Sequence, residues 1–396
     1  MTNNFVLMGM KAILDKTVME DSYIKISDGK ITEVGMMNEY QKNGDFKEVR
    51  LPSKLFASPG FIDIHIHGLN GSDVMDASSK AIENMTVTLP QEGTTSFLAT
   101  TITQDPVEIE AALQNVNQYS KTIANGSELL GIHLEGPFIS PKRAGAQPVA
   151  HIMEPDKNTF MKWQEISGNL IKVVTLAPEE RGGIQLVRHL NDTGVIASIG
   201  HSDALYPVME EAIQAGAAHV THFYNGMRGI HHREPGVVGG GLAHEELFVE
   251  LIADGIHVHP AVIKATYHTK GADRIILITD SMRAKWLEDG EYDLGGQKVT
   301  VSDNTALLED GTLAGSLLKM NEALRNMKHF TNCSLPELVQ MASANPARQL
   351  NVWDRKGSIH VGKDADIVIL DEQLNVHLTL CKGVVTYRNE VEKEWI

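Results

Sequence analysis

The segment Asp63-Ile64-His65-Ile66-His67 sets two imidazoles at alternate positions of an apolar run. Alternate residues of a strand share a face, so both rings can grip one metal ion. Glu135, His201, His222 and Asp280 end other apolar runs in the same way. A lone histidine at a strand end is more often a neutral, hydrogen-bonded side chain than a ligand. Six such residues at the ends of five separate runs are a different matter. Burying four imidazoles and two carboxylates together without an ion would be costly. The set is a metal-ligand inventory, and imidazole plus carboxylate ligation suits Zn or Fe without deciding between them.

Other polar residues cluster near these. His133 shares a strand face with Glu135 one layer deeper, which points to a supporting or core role. His219 lies on the opposite face from His222 and reads as structural. Asn225-Gly226-Met227-Arg228 and Arg233-Glu234-Pro235-Gly236 form a loop in which an arginine can recognise phosphate or carboxylate bidentately. An exposed arginine paired with a surface acid is an equally common outcome. His257, just after Asp254-Gly255, is a further candidate of the same kind. Val238-Gly239-Gly240-Gly241 lacks the strand-glycine-helix context of a phosphate cradle.

The elements that must position these residues are repetitive. Apolar runs occur at Phe61 to Ile66, Thr95 to Thr100, Leu130 to Leu134, Ile171 to Leu176, Val195 to Ile199, His219 to Phe223, Phe248 to Ala253 and Arg274 to Thr279. Helix-length stretches separate them, which implies βα units and a parallel sheet buried on both faces. Eight such units predict an α/β fold of the (β/α)8 TIM-barrel type, with ligands converging at the C-terminal ends of the strands. An open doubly wound sheet is the alternative. Both chain ends are β-rich. Tyr23-Ile24-Lys25-Ile26, the turn Asp28-Gly29 and Lys30-Ile31-Thr32-Glu33-Val34 read as a hairpin, and Asp366 to Leu370 with Val384 to Tyr387 mirror it near the other end. The expected division is a small β-sandwich from residues 1–57 and 355–396 beside a barrel at 58–354.

Composition narrows the partners. The chain of 396 residues carries 35 Lys+Arg against 51 Asp+Glu, a formal charge of −16. Such a balance argues against nucleic acid as a partner. No run approaches the ~18 apolar residues that a bilayer span requires, so no membrane partner is expected. Only 2 cysteines are present, too few for a disulfide framework, which makes a cytoplasmic location the expectation.

Pro59-Gly60-Phe61-Ile62-Asp63-Ile64-His65-Ile66-His67-Gly68 resembles the first-strand signature of the amidohydrolase superfamily. The ordered segments Gly131 to Phe138 (Gly-Ile-His-Leu-Glu-Gly-Pro-Phe), Gly200-His201-Ser202, Thr221 to Met227, Arg233 to Gly236 and Thr279-Asp280-Ser281 are similar to its amino-sugar phosphate deacetylases. Gly357-Ser358-Ile359 and Gly362 to Asp366 extend the likeness to the C-terminal sandwich. The resemblance implies a divalent-metal hydrolase that converts N-acetylglucosamine 6-phosphate to glucosamine 6-phosphate and acetate. By position, Glu135, His201 and His222 match the principal metal ligands. His65 and His67 match a first-strand pair that some members lack, so one or two ions are implied. Asp280 matches the catalytic acid/base as well as a ligand. Ala146, Gln147, Asn225, Gly226, Arg233, His257, Leu313, Ala314 and Gly315 match substrate contacts, with Arg233 and His257 suited to the phosphate. A homodimer in which a neighbour lends Arg233 or His231 is implied too.

One departure stands out: the family usually reads Asn-Ala-Met where this chain has Asn225-Gly226-Met227. A backbone N–H contact survives that change, while the loop gains freedom. No strand presents a lysine placed for carbamylation, since Lys172 opens its run, which weakens a cyclic-amide hydrolase reading. Two rivals stay open at this point: an amidohydrolase for another N-acyl sugar or cyclic amide, and a metal-binding sensor without activity.

Overall fold

The computed structural model describes residues 4–42, 46–122 and 125–389. Residues 1–3, 43–45 and 390–396 of the expected terminal unit lie outside the described residues. Eight strands, β1 (Phe61–Ile66), β2 (Thr94–Thr100), β3 (Glu128–Glu135), β4 (Ile171–Leu176), β5 (Ile196–Ile199), β6 (His219–Val220), β7 (Phe248–Ile252) and β8 (Ile275–Ile278), form one sheet in sequence order. Every neighbouring pair is parallel. β1 and β8 then meet. The Asp280 N–H donates to the His65 carbonyl at 2.8 Å, Ile66 bridges Ser281, and Thr279 Oγ1 donates to Asp63 Oδ2 at 2.5 Å. The sheet is thus a barrel and not an open one. All residues of β1 and β2 are buried, which is why these strands read as unbroken runs instead of alternating ones.

A helix follows each strand, from Ser79–Thr88 after β1 to Met320–Thr331 after β8. Local chemistry starts several of them. Asp105 accepts the Val107 N–H with Pro106 in the first turn, and Asp156 accepts the Thr159 N–H. The glycine run after β6 lies in the helix Gly236–Ala243. A Cβ on Gly241 would stand 2.5 Å from the Phe223 ring, so these glycines serve close packing and not a phosphate cradle.

Both chain ends build a second sheet of eight strands. Its path runs Val384–Arg388, Val376–Cys381, Ile367–Leu370, Phe56–Pro59, Phe5–Ile13, Val18–Ser27, Lys30–Met36, with Lys47–Arg50 parallel to Phe5–Ile13. The expected hairpin forms with Ser27 opposite Lys30, and Asp28 and Gly29 both adopt left-handed backbone (φ 51° and 76°). Ile367 and Ile369 join Leu7, Ile24 and Ile26 in the core of this sheet, while Val368 and Leu370 join the barrel core. That strand is covered on both faces.

One element escaped the sequence reading. Gly290–Leu294, Gln297–Ser302 and Thr305–Leu308 form a three-stranded antiparallel sheet after β8. Leu294, Val299 and Val301 pack with Ile102 and Ala314 beside the barrel mouth.

Candidate metal centre

The C-terminal ends of β1, β3, β5, β6 and β8 deliver His65, His67, Glu135, His201, His222 and Asp280 to one place. His201, His222 and Asp280 adopt left-handed backbone, with φ of 47°, 26° and 49°. Such conformations cost a non-glycine residue of order 1 kcal/mol and concentrate at functional sites. The strain is borne where the strand ends and the ligand side chain must turn inward.

The six residues fall into two donor groups, His65 with His67 and Asp280, and Glu135 with His201 and His222. In the first, Asp280 Oδ1 lies 3.4 Å from His65 Nε2 and 3.2 Å from His67 Nε2. In the second, Glu135 Oε1 lies 3.3 Å from His201 Nε2 and 3.1 Å from His222 Nε2. Glu135 also links the groups, since its two oxygens stand 3.4 Å from His65 Nε2 and 3.3 Å from His67 Nε2. The His201 ring is oriented by a 2.8 Å hydrogen bond from Nδ1 to the Arg143 carbonyl. A carbonyl only accepts, so Nδ1 carries the proton and Nε2 turns a lone pair inward.

Electrostatics favour a cation here. Burial opposes a charge on His65, but Asp280, Glu135 and Glu250 outweigh it and push the ring up to about 9. Burial likewise opposes charge on Glu135 and on Asp280, yet the surrounding histidines hold both carboxyls below their ordinary range. A buried pocket that favours positive charge fits a divalent ion in place of those protons, and nitrogen with oxygen donors fit Zn or Fe.

His133 is neutral: burial and the neighbouring His65 press its ring down to about 3. Its Nδ1 bonds the Ile64 carbonyl at 3.0 Å and its Nε2 meets Thr175 Oγ1 at 2.7 Å. Thr175 therefore donates to the ring, Thr221 to Thr175, and Ser198 to Thr221, a one-way row of hydroxyls beneath the ligands. His219 turns its Nε2 toward Glu250 Oε1 at 3.4 Å.

A cavity of about 190 Å³ opens onto the centre, lined by Ala146, Gln147, Asn225, Gly226, His257, Leu313 and Gly315 together with His67, Glu135, His201, His222 and Asp280. Gln147 donates to Glu135 Oε2 at 2.6 Å and accepts the Thr103 N–H at 2.7 Å. His257 Nδ1 pairs with Asp254 Oδ2 at 2.6 Å, which leaves Nε2 as the ring's second polar atom. Gly226 has φ of +56°, and a Cβ there would stand 2.8 Å from His201 Nδ1, so glycine suits this position in this chain.

Two expected contacts stand apart. Ala314 is buried behind the lining, with its N–H donating to the Ala306 carbonyl at 3.0 Å. Arg233 is exposed on a tight turn between His231 and Glu234, its Nη1 2.6 Å from His232 Nε2, and does not line the cavity. The turn is held outward by Glu234, which accepts the Tyr206 N–H at 2.8 Å. The sequence reading missed Ile102, Gly145, Leu294 and Thr312 in the lining, Leu294 because the inserted sheet that brings it there was not foreseen. It also missed Glu250, although a lone carboxylate inside Phe248-Val249-Glu250-Leu251-Ile252 was a visible signal.

The chain is 51% identical over 390 residues to the N-acetylglucosamine-6-phosphate deacetylase of Bacillus subtilis (strain 168), covering 98% of each chain. It is 36% identical to the N-acetylgalactosamine-6-phosphate deacetylase of Escherichia coli O157:H7, over 96% of this chain and 98% of the other. The structure superposes with a TM-score of 0.91 on a mutant of N-acetyl-D-glucosamine-6-phosphate deacetylase from Mycobacterium smegmatis in complex with N-acetyl-D-glucosamine-6-phosphate, at 28% identity and 97% and 99% coverage. The model of the amidohydrolase family matches residues 56–386, and this chain belongs to that family, in the branch of the N-acetylglucosamine-6-phosphate deacetylases.

Proposed function

We propose that the chain hydrolyses the acetamide of N-acetylglucosamine 6-phosphate, in amino-sugar catabolism, releasing acetate and glucosamine 6-phosphate. The observation that carries this reading is Asp280. Its carboxylate opens onto the cavity while lying within 3.4 Å of His65 and His67, so one oxygen can face the ligands and the other a substrate. His65, His67, Glu135, His201, His222 and Asp280 would hold one or two ions of Zn or Fe. A bound divalent ion supplies Lewis acidity, activating water and polarising the amide carbonyl.

The remaining chemistry belongs to the chain. Asp280 takes the proton of the attacking water as the new C–O bond forms. It then delivers that proton to the amine nitrogen as the C–N bond breaks, leaving acetate and a free amino group. Gln147 holds Glu135 in place. Asn225, the Gly226 N–H, Ala146, Leu313 and Gly315 orient the sugar, with Ala314 supporting the last two from behind, and His257 holds its phosphate. Anchoring the phosphate lets remote binding energy fix the acetamide against the nucleophile.

Arg233 completes the phosphate site from a second subunit of a homodimer in this proposal. Its exposed turn, beside Ile230 at 63% exposure, supports such a role. A barrel unit at 58–354 with a terminal unit at 1–57 and 355–396 belongs to the same reading, as does a cytoplasmic location, supported by two unpaired, buried cysteines. Among the described residues, no helix is long and apolar enough to cross a membrane.

The test is hydrolysis with metal content measured, read as acetate release from N-acetylglucosamine 6-phosphate, N-acetylgalactosamine 6-phosphate and unphosphorylated N-acetylglucosamine, and as ring opening of a hydantoin. The expected order puts N-acetylglucosamine 6-phosphate first in kcat/KM. A preference for the galactosamine epimer or the hydantoin, or no hydrolysis of any of them by metal-loaded protein, overturns it.

A further inference from the structure

Glu250 sits in β7, wholly buried, and does not line the cavity. A buried carboxylate is costly unless it is paired, and here the two closest pairings lead to the metal centre. Oε2 stands 2.9 Å from His65 Nδ1 and also accepts the backbone N–H of His222 at 3.0 Å. Oε1 faces His219 Nε2 at 3.4 Å. A carboxylate oxygen bonds Nδ1 only if that nitrogen carries a proton, which leaves Nε2 as the ligating atom of His65. Nε2 has no hydrogen-bond partner among the described residues and points between Glu135 and Asp280. His133, whose ring meets His65 edge-on at 4.5 Å, does not compete for Glu250, because both of its nitrogens are engaged. The same Oε2 pins His222 where its backbone is strained.

Its contact with His222 is to the backbone alone, so His65 is the ligand ring that Glu250 orients. We infer that Glu250 is a positioning residue that makes His65 an ion ligand, and so determines whether the first-strand group retains an ion of its own. The inference rests on the metal-centre reading above and asks more of it: two ions, one of them dependent on Glu250.

The test is Zn²⁺ uptake per subunit across a graded, buffered Zn²⁺ series, for the parent, Glu250→Gln, His65→Ala and the double variant. The parent should load two ions. Glu250→Gln should weaken one loading step by about 10- to 100-fold, as loss of a ligand's supporting carboxylate does, with the other step changed by less than about threefold. His65→Ala should remove the same step, and adding Glu250→Gln to it should change nothing more. Unchanged uptake in Glu250→Gln, equal weakening of both steps, or additive effects in the double variant overturns the inference. If Glu250→Gln does not fold, ¹⁵N-histidine spectra of the Zn²⁺-loaded parent decide: the His65 ring should be protonated at Nδ1, and protonation at Nε2 overturns it. A parent that loads one ion overturns the two-ion reading, and this inference with it, before any variant is made.

Discussion

His201 Nε2 and His222 Nε2 face each other at 3.0 Å, each beside the same oxygen of Glu135. Since His201 commits its proton to the Arg143 carbonyl, its inward nitrogen offers only a lone pair. An ion that satisfies this trio binds the folded chain and not the unfolded one. Chelation should therefore abolish hydrolysis and lower stability, by about 2.7 kcal/mol if the ion had stood at 100 times its Kd. Returning Zn²⁺ or Fe²⁺ should restore both. Turnover and Tm that survive exhaustive chelation would remove the metal centre.

Asp280→Asn should lower kcat by about 10²- to 10⁴-fold, the usual contribution of a positioned acid–base group. Metal analysis should still find an ion at Glu135, His201 and His222, which Asp280 does not complete. A near-normal rate sinks the proton-transfer role.

Arg233→Ala should leave Tm unchanged, because the side chain is exposed and packs on nothing deep. It should raise KM for the phosphorylated sugar about tenfold or more while barely affecting unphosphorylated N-acetylglucosamine. Equal effects on the two substrates end its assignment to the phosphate.

Lys285 and Glu92 form an ion pair at 2.9 Å with both side chains wholly buried. Glu92→Gln strands the ammonium in the core, so denaturant unfolding should register a loss of about 3–5 kcal/mol. Replacing both partners with methionine should recover most of that loss. A double variant as unstable as the single would show that the charge pair is not the cause.

Glu128 ties the start of β3 to Arg355 at 2.9 Å and Lys356 at 2.8 Å. Burial pushes its carboxyl up, but Arg355 and Lys356 outweigh that and hold it at about 2, below the ordinary 4.5. A depressed folded-state pKa gives stability that is complete above the unfolded value and fades as pH falls toward the folded one. The parent's urea midpoint should therefore exceed that of Glu128→Gln above about pH 5, with the gap closing toward pH 2. A gap independent of pH would assign the effect to packing.

The barrel was legible because its strands are buried on both faces and end in polar residues, two signals that reinforce each other along one chain. The six ligand candidates could be read for the same reason: strand direction decides where they meet. What could not be read depended on partners distant in sequence. In the sheet at 290–308 only Gln297–Ser302 alternates cleanly, with Val299 and Val301 buried, while Gly290–Leu294 buries Leu294 alone and Thr305–Leu308 buries Ala306 alone, so three short strands carried too little pattern to be read as a sheet. The outward set of Arg233 follows from Glu234 bonding the Tyr206 N–H, a contact between a loop and the start of the helix Tyr206–Gln214 that no local pattern announces. Glu250 was different. Its position inside an apolar strand was plain, and only its partners were missing.

The pairing of Ala57 with Ile369 has a consequence in time. On a ribosome adding roughly 5–20 residues per second, the strand at Phe56–Pro59 emerges about 15–60 s before its partner at Ile367–Leu370. The barrel's eight strands are all synthesised within that interval, while an apolar edge waits uncovered upstream of them. Synthesis of this chain therefore carries a window of exposure that ends only when the last tenth of the protein arrives to close the terminal sheet.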